Sequence, residues 1–482
     1  MGVSLNPATI LSGQGLNVSS VVNQIISAQS GELSVWQGEQ TNFATQDGLL
    51  EGEENNLTSL QTAVAALASP TGPLTAQAAT SSQQGIVTAT ANSTAVSGTH
   101  QIVVTSLATT GSVYTNAVAA GASTSFLSSG QTTGSIQLQV GGTSGATENI
   151  AITQGSNDTL NTLASYINTQ SSANSWGVTA SVVSDSTGSR LALQSQNSGS
   201  AGALAITGNS NTTLTFATPQ GGTNAALTVD GVPFTSSTNT VTGAIQGVTL
   251  TLVSQSPGTP AQLTVGPDQG QITNAVNNFI SAFNSAVSTI NSQYVVDPTG
   301  AAPAPPLESD ISLRSLQSSL LNDSSYAIGG NSGFVNLASL GINQNNDGTL
   351  TLGLTPSGLS FSQILAENPA AVQNFFQNSS GTGFANNFNA DLTNLTAPES
   401  GPLNVDLAQN QAENADLTTT ISNFQTQLNT EQASLTQLYD SVNASLQAYP
   451  ILLQEVTTTL GTLGSSGSTS SQSTTPILTS GL

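Results

Sequence analysis

Apolar residues recur every seven positions at both ends of this chain, and that repeat limits the possible folds more than any other feature. Toward the C-terminus, Ile421, Leu428, Leu435, Val442 and Tyr449 fill one seam without a polar interruption. Leu417, Phe424, Glu431, Leu438 and Ser445 fill the companion seam. Two apolar positions per heptad make the stripe along which one helix packs on another. The flanking residues, among them Ser422, Asn429, Thr436 and Asn443, are uncharged, so core shape rather than salt bridges must select the partner. Pro450 is expected to end or kink this helix, with a looser stripe resuming at Leu453, Val456 and Leu460. The Ser/Thr/Gly-rich tail from Gly464 is expected to be disordered.

Toward the N-terminus, Val22, Trp36, Phe43, Leu50, Leu57 and Val64 keep one register, broken by Gln29. Its companion opens with Ile26 and Leu33, then turns polar at Gln40, Asp47, Glu54 and Gln61. Gly31, Gly38, Gly48 and Gly52 each weaken such a helix by ~1 kcal/mol relative to alanine, so it needs a partner.

The middle of the chain has a different period. "SIQLQV" and "GVTLTL" alternate apolar and polar residues as half-buried strands do. "VTASVVSDSTGSRLALQ" gives two strands joined at Asp185–Ser189. "NDTLNTLASYI" gives a short helix capped by Asp158 or Thr159, with Leu160, Leu163 and Ile167 inward. The helical period returns at Ile272, Val276, Phe279, Phe283, Val287 and Ile290, and after the break at "DPTGAAPAPP" it continues in shorter stretches. The expected fold class is α+β: a helical coiled-coil stalk from both termini carrying nested β-rich head domains. The expected divisions are a terminal coiled-coil leg with disordered ends (1–42 and 413–482), a helical leg domain (43–78 and 268–412), a β-rich domain (79–128 and 226–267) and an inserted β-rich head (129–225). At 482 residues the chain has room for three or four domains of ~100–200 residues.

Charge excludes several functions. Twenty-five acidic side chains face only Arg190 and Arg314, giving a net charge of −23 with no lysine. A nucleic-acid partner requires cations against phosphate, and an anionic membrane surface requires them too. Neither is expected, nor is membrane insertion, since no apolar run approaches the ~20 residues of a membrane-spanning helix. "MGVSLNPATILSGQGLNVSS" has neither a basic segment nor a continuous apolar one, so no cleavable secretory signal is expected.

Catalytic and metal-binding patterns are also missing. Any Ser–His–Asp arrangement would have to use His100, the single histidine, which is expected near a turn on the surface. "NQNNDGTL" imitates the first half of a calcium loop, but the closing glutamate position is Leu354, so a β-turn is expected instead. Glu51, Glu53 and Glu54 are expected on a solvated helix face, and Asp230 in a hairpin turn. No enzyme activity, cofactor or metal is expected.

Several stretches, in order, resemble the bacterial flagellar filament-capping family, hook-associated protein 2. They include "GLNVSSVVNQII" (15–26), "VSGTHQIVVTSLA" (96–108), "LTVDGVPFTSSTNTVTGAIQGVTLTL" (227–252), "ITNAVNNFISAFNSAV" (272–287), "NLASLGINQNNDGTLTL" (336–352) and "NPAAVQNFF" (368–376). The resemblance implies an extracellular cap at the filament tip, exported by the flagellar type III route. It implies a ring-shaped homo-oligomer, a pentamer, with flagellin as its partner and an export chaperone at the C-terminal region before secretion. The rival reading is an extracellular adhesin or another axial flagellar or surface-layer protein. The expected assembly surface is Val22, Ile26, Leu33, Trp36 and Phe43 with Leu417, Ile421, Phe424, Leu428, Leu435, Leu438, Val442 and Tyr449.

Overall fold

The computed structural model describes residues 17–256, 258–295, 299 and 303–465. Most of the C-terminal tail and part of the "DPTGAAPAPP" break lie outside the described residues. Asn17 opens α1 (Val18–Gln29) by accepting the Ser20 N–H on its side chain at 3.1 Å. The helix breaks at Ser30, whose N–H donates to the Ile26 carbonyl at 2.8 Å, and α2 (Gly31–Ala68) follows at once.

The second half of α2 enters a large helical core, and there the expected companion seam is corrected. The buried residues are Leu50, Glu53, Leu57, Leu60, Val64 and Leu67, so the second row passes through 53, 60 and 67 rather than 54 and 61. The first half of α2 meets one partner helix and the second half meets several. A helix with 3.6 residues per turn drifts against a strict seven-residue repeat, and the wider contact follows that drift. Glu53, expected in solvent, is 1% exposed.

After α2 the chain enters strands β1 (Gln77–Ser81), β2 (Val87–Ala91) and β3 (Gly98–Ser106). It then builds a head from β4 (Thr110–Tyr114), β5 (Thr133–Val140), β6 (Ala146–Thr153), helix α3 (Leu160–Asn174), β7 (Val178–Asp185), β8 (Gly188–Ser198) and β9 (Leu204–Ser210). Thr159 caps α3 in a reciprocal capping box with Thr162. Two antiparallel sheets, ordered β4-β8-β7 and β6-β5-β9, share a core of Ile136, Leu138, Ile150, Leu163, Ile167, Leu191 and Leu193. Val113 and Phe126 also pack in this core, so it begins before the expected boundary at 129.

Strands β10 (Ala225–Val229), β11 (Val232–Ser236), β12 (Thr240–Ile245), β13 (Val248–Leu252) and β14 (Ala261–Pro267) return to the first sheet. Its order is β1-β14-β3-β10-β11, with Val104 of β3 opposite Leu227 and His100 opposite Leu263. A second sheet, β12-β13-β2, shares its core. Strands from both flanks of the head alternate here, so this domain is complete only when the chain has come back.

Helix α4 (Gln269–Ser292) leads into the leg, followed by α5 (Ile311–Ser324), the hairpin β15 (Ile342–Gln344) and β16 (Leu350–Leu352), α6 (Phe361–Glu367), α7 (Pro369–Phe376) and α8 (Phe384–Leu395). Phe279, Phe283, Phe375, Phe376, Phe384 and Phe388 are all buried, with neighbouring ring centroids 5.0 Å apart at Phe375–Phe376 and 6.3 Å at Phe283–Phe388. The last helix, α9 (Pro402–Ser465), spans 64 residues and continues through Pro450, so of the two outcomes expected there, an end or a kink, the end is corrected. Proline removes one backbone hydrogen bond. Every residue from Gln447 to Leu463 is exposed, so water can take the place of the lost donor.

Gly38 and Gly48 are exposed within α2, and a Cβ at either would meet nothing within 4 Å. Gly38→Ala and Gly48→Ala should therefore each stabilise the leg by about 0.5–1 kcal/mol in urea unfolding. Gly72→Ala should destabilise it, because the new Cβ would sit 2.3 Å from the Ala66 carbonyl oxygen.

Candidate assembly surface

The terminal helices pack antiparallel. Along the pair, Gln40 Nε2 donates to Thr418 Oγ1 at 2.7 Å, and Gln432 Nε2 donates to Asn23 Oδ1 at 3.1 Å. Between them, the Trp36 and Phe424 rings meet edge to face, centroids 5.1 Å apart at 79°. Two of the polar residues that interrupt the apolar seams also find each other: Gln29 Nε2 donates to Glu431 Oε1 at 2.8 Å. One is an amide donor and the other an acceptor, and a polar pair at a seam position fixes register between helices. Polar contacts across the pair run amide to hydroxyl, amide to amide and amide to carboxylate.

Burial divides the expected surface into three sets. Val22, Ile421 and Leu428 are buried; Ile26, Leu33, Trp36, Phe43, Leu417, Phe424 and Leu435 are half-buried. Leu438, opposite the first turn of α1, is 56% exposed, and Val442 and Tyr449, past it, are 40% and 65% exposed. The sequence reading missed two features. Val18 is buried beside the pair, and Val456, expected in a looser stripe, instead continues the row of Tyr449 in register on to Leu463, both exposed. The signal for the second was the unchanged seven-residue spacing across Pro450.

The other candidate is the His100 groove. His100 lies near the start of β3 and beside the β10–β11 turn, its Nδ1 2.8 Å from Asp230 Oδ2. Asp230 has φ +53°, leads into Gly231 in the β10–β11 hairpin and accepts the Gln101 N–H at 2.8 Å. That backbone bond, and then the His100 contact, hold its carboxyl below the usual range. Val96, Val232 and Phe234 line this open groove of about 490 Å³ with the two polar residues. Both polar groups are occupied in fixing the hairpin turn against its neighbouring strand. In "NQNNDGTL", Asp347 accepts the Thr349 N–H at 3.0 Å and its hydroxyl at 2.6 Å, closing the β15–β16 turn.

Residues 14–111 match the family description "Flagellar hook-associated protein 2 N-terminus", and residues 222–449 match "Flagellar hook-associated protein 2 C-terminus". Together these segments cover most of the chain and leave most of the head unmatched. The B-type flagellar hook-associated protein 2 of Pseudomonas aeruginosa PAO1 is 30% identical over 280 residues, which is 52% of this chain and 56% of that protein. The flagellar hook-associated protein 2 of Salmonella typhimurium LT2 is 32% identical over 160 residues, 31% of this chain and 32% of its own. The chain thus spans about half the length of the first relative and about a third of the second. The crystal structure of the flagellar cap protein FliD D1-D2-D3 domains from Escherichia coli superposes with a TM-score of 0.55 at 22% identity, covering 75% of this chain and 99% of that one. That likeness shows a shared fold.

The ring contact in the stalk gives a measurable coupling. In a double-mutant cycle of Trp36→Ala and Phe424→Ala, urea unfolding should return an interaction energy of about 0.5–1.5 kcal/mol, the range for buried edge-to-face pairs. Additive effects would place the two helices out of contact in solution.

Proposed function

The chain belongs to the flagellar hook-associated protein 2 family, and from that membership we propose that it caps the distal end of a bacterial flagellar filament, outside the cell. Its work there is mechanical. Arriving flagellin is confined beneath the cap, folds, inserts at the vacant site and does not leak away. The cap is a ring of identical chains, a pentamer, that holds flagellin at the tip. Before secretion an export chaperone covers the C-terminal region.

One observation above all supports this reading: among the described residues, α9 carries its apolar seam past the start of α1. Leu438, Val442, Tyr449, Val456 and Leu463 are 40–68% exposed along a helix of one chain. From Leu438 to Leu463 the row is about 38 Å long at the helical rise of ~1.5 Å per residue. Contiguous exposed apolar surface of that extent marks an interaction surface. Repetition of one such contact around an axis closes a ring, as assembly of identical chains requires.

The seam offers a test that separates assembly from folding. Val442 is already exposed in the single chain, so Val442→Asp should change the unfolding free energy of the monomer by no more than ~0.5 kcal/mol. In the assembled ring the same carboxylate would be buried without a partner, which disfavours the contact by several kcal/mol. Rings seen by electron microscopy should therefore disappear, and cells carrying the variant should release flagellin and swim poorly. The exposed flanking change Gln437→Asp should leave both intact. If Val442→Asp rings form at wild-type concentrations, this seam is not the assembly contact. Long filaments or sheets from the wild-type chain would instead favour another axial or surface-layer role.

A further inference from the structure

The leg core holds acids that have no cation to face. Glu53 on α2 is 1% exposed; its Oε2 accepts from Asn56 Nδ2 at 3.1 Å, while its Oε1 has no hydrogen-bond partner. Asn56 also donates to Thr289 Oγ1 on α4, tying the carboxyl to the middle of the packed layer. Asp323, at the end of α5, is 8% exposed and lies against Asp391 on α8. Its Oδ2 is buried and finds no donor. Two carboxyl groups in contact can share a hydrogen bond only when one of them carries a proton.

The surroundings supply nothing to neutralise these groups. Helix α4 has no ionisable side chain, α8 contributes only Asp391, and α6 contributes only Glu367, which is exposed. Helix α2 adds Asp47, Glu51 and Glu54, and the first turns of α9 add Asp406, whose Oδ2 is likewise buried without a partner. Asp406 faces Ser312 and Asp310 at the start of α5. Arg314 is the one cation of the leg among the described residues, and its guanidinium lies 5.1 Å over the Tyr294 ring and reaches the Glu308 carbonyl at 3.4 Å. Arg190, the other arginine of the chain, pairs with Asp185 in the head.

We propose that the leg is an acid-favoured fold: Glu53, and Asp323 beside Asp391, enter the core as neutral acids, and the helical bundle loosens as the medium becomes alkaline. Burial is the main cause in each case. It lifts Glu53 from 4.5 to about 8, against a smaller opposing effect of the Asn56 bond. Asp323 rises from 3.8 to about 7, through burial first and then the Asp391 charge and its hydrogen bond. Asp406 is also raised by burial.

The sign follows from proton linkage. A group that keeps its proton in the folded state and loses it in the unfolded state stabilises the fold fully below pH ~4. That contribution falls as pH rises and is gone above the folded value. The leg should therefore weaken between pH ~5 and ~8. The head runs the other way and at lower pH. The Thr187 hydroxyl and amide, and then Arg190, hold the exposed Asp185 carboxyl low, so its contribution is lost only on strong acidification.

Urea unfolding of the full chain, followed by the helical far-UV signal at steps from pH 5 to pH 8, tests the proposal. The unfolding constant of the wild-type leg should rise by up to ~10-fold per pH unit for each of the two groups. Glu53→Gln and Asp323→Asn should each flatten the profile, and together they should level it. Asp391→Asn, which hands Asp323 an amide donor, should flatten it as well, and it serves if either of the first two variants fails to fold. A wild-type leg whose stability is constant or rises from pH 5 to pH 8 overturns the proposal. So does a double variant that weakens as steeply as the parent.

Discussion

Antiparallel packing of the first helices against the last one is the constraint on which the rest of the molecule depends. Once α1 and α2 lie along α9 in one register, these terminal helices are held together and everything between them must leave and return. The fold meets that demand by nesting. The sheet built on β3 takes β14 on one side and β10 on the other, so it closes only after the head has been made and the chain has come back. Helix α4 then returns beside α2, and the phenylalanine cluster of α4, α7 and α8 fills the space between them. Among the described residues the last helix runs past the start of α1 at Val18, and Val442 and Tyr449 of its apolar seam are exposed there.

A chain with two arginines and no lysine must replace ion pairs by other means. Across the stalk it uses amides against hydroxyls and carboxylates, bonds whose strength depends little on salt. In its turns it uses Asp with Thr, as at Asp347–Thr349 and Asp185–Thr187, where a carboxylate close to its own backbone needs no cation. In the leg core that solution fails, since Glu53 Oε1 and Asp323 Oδ2 are buried where no N–H group reaches them. Burial of an unpaired charge is too unfavourable to sustain, and the proton takes the place of the missing cation.

Much of the fold was legible because its signals are local. The period-two strands, the Asp185–Ser189 and Asp230 hairpins, the Thr159 cap and the heptads at both ends each depend on residues a few positions apart, and all appear in the structure. One local expectation failed, and another failed in one of its two alternatives. The second row of α2 moved to Glu53, Leu60 and Leu67, because a core of several helices meets a broader face than a single partner does. Pro450 stayed inside a helix, because the helix there stands in solvent and has no tight packing for a bend to disturb.

By itself the sequence determined the two helical ends, the β-type middle, the absence of cations and the apolar seam, since each follows from residue type and spacing along one segment. Only the tertiary structure decided which residues meet. Gln29 and Glu431 are 402 positions apart, and neither reveals that it completes the other. Nothing in the spacing of Glu51, Glu53 and Glu54 tells which one turns inward, because that depends on where α4 and α8 come to rest against α2. Burial of a charge is a property of the packed layer, and the layer exists only after distant segments have closed around it.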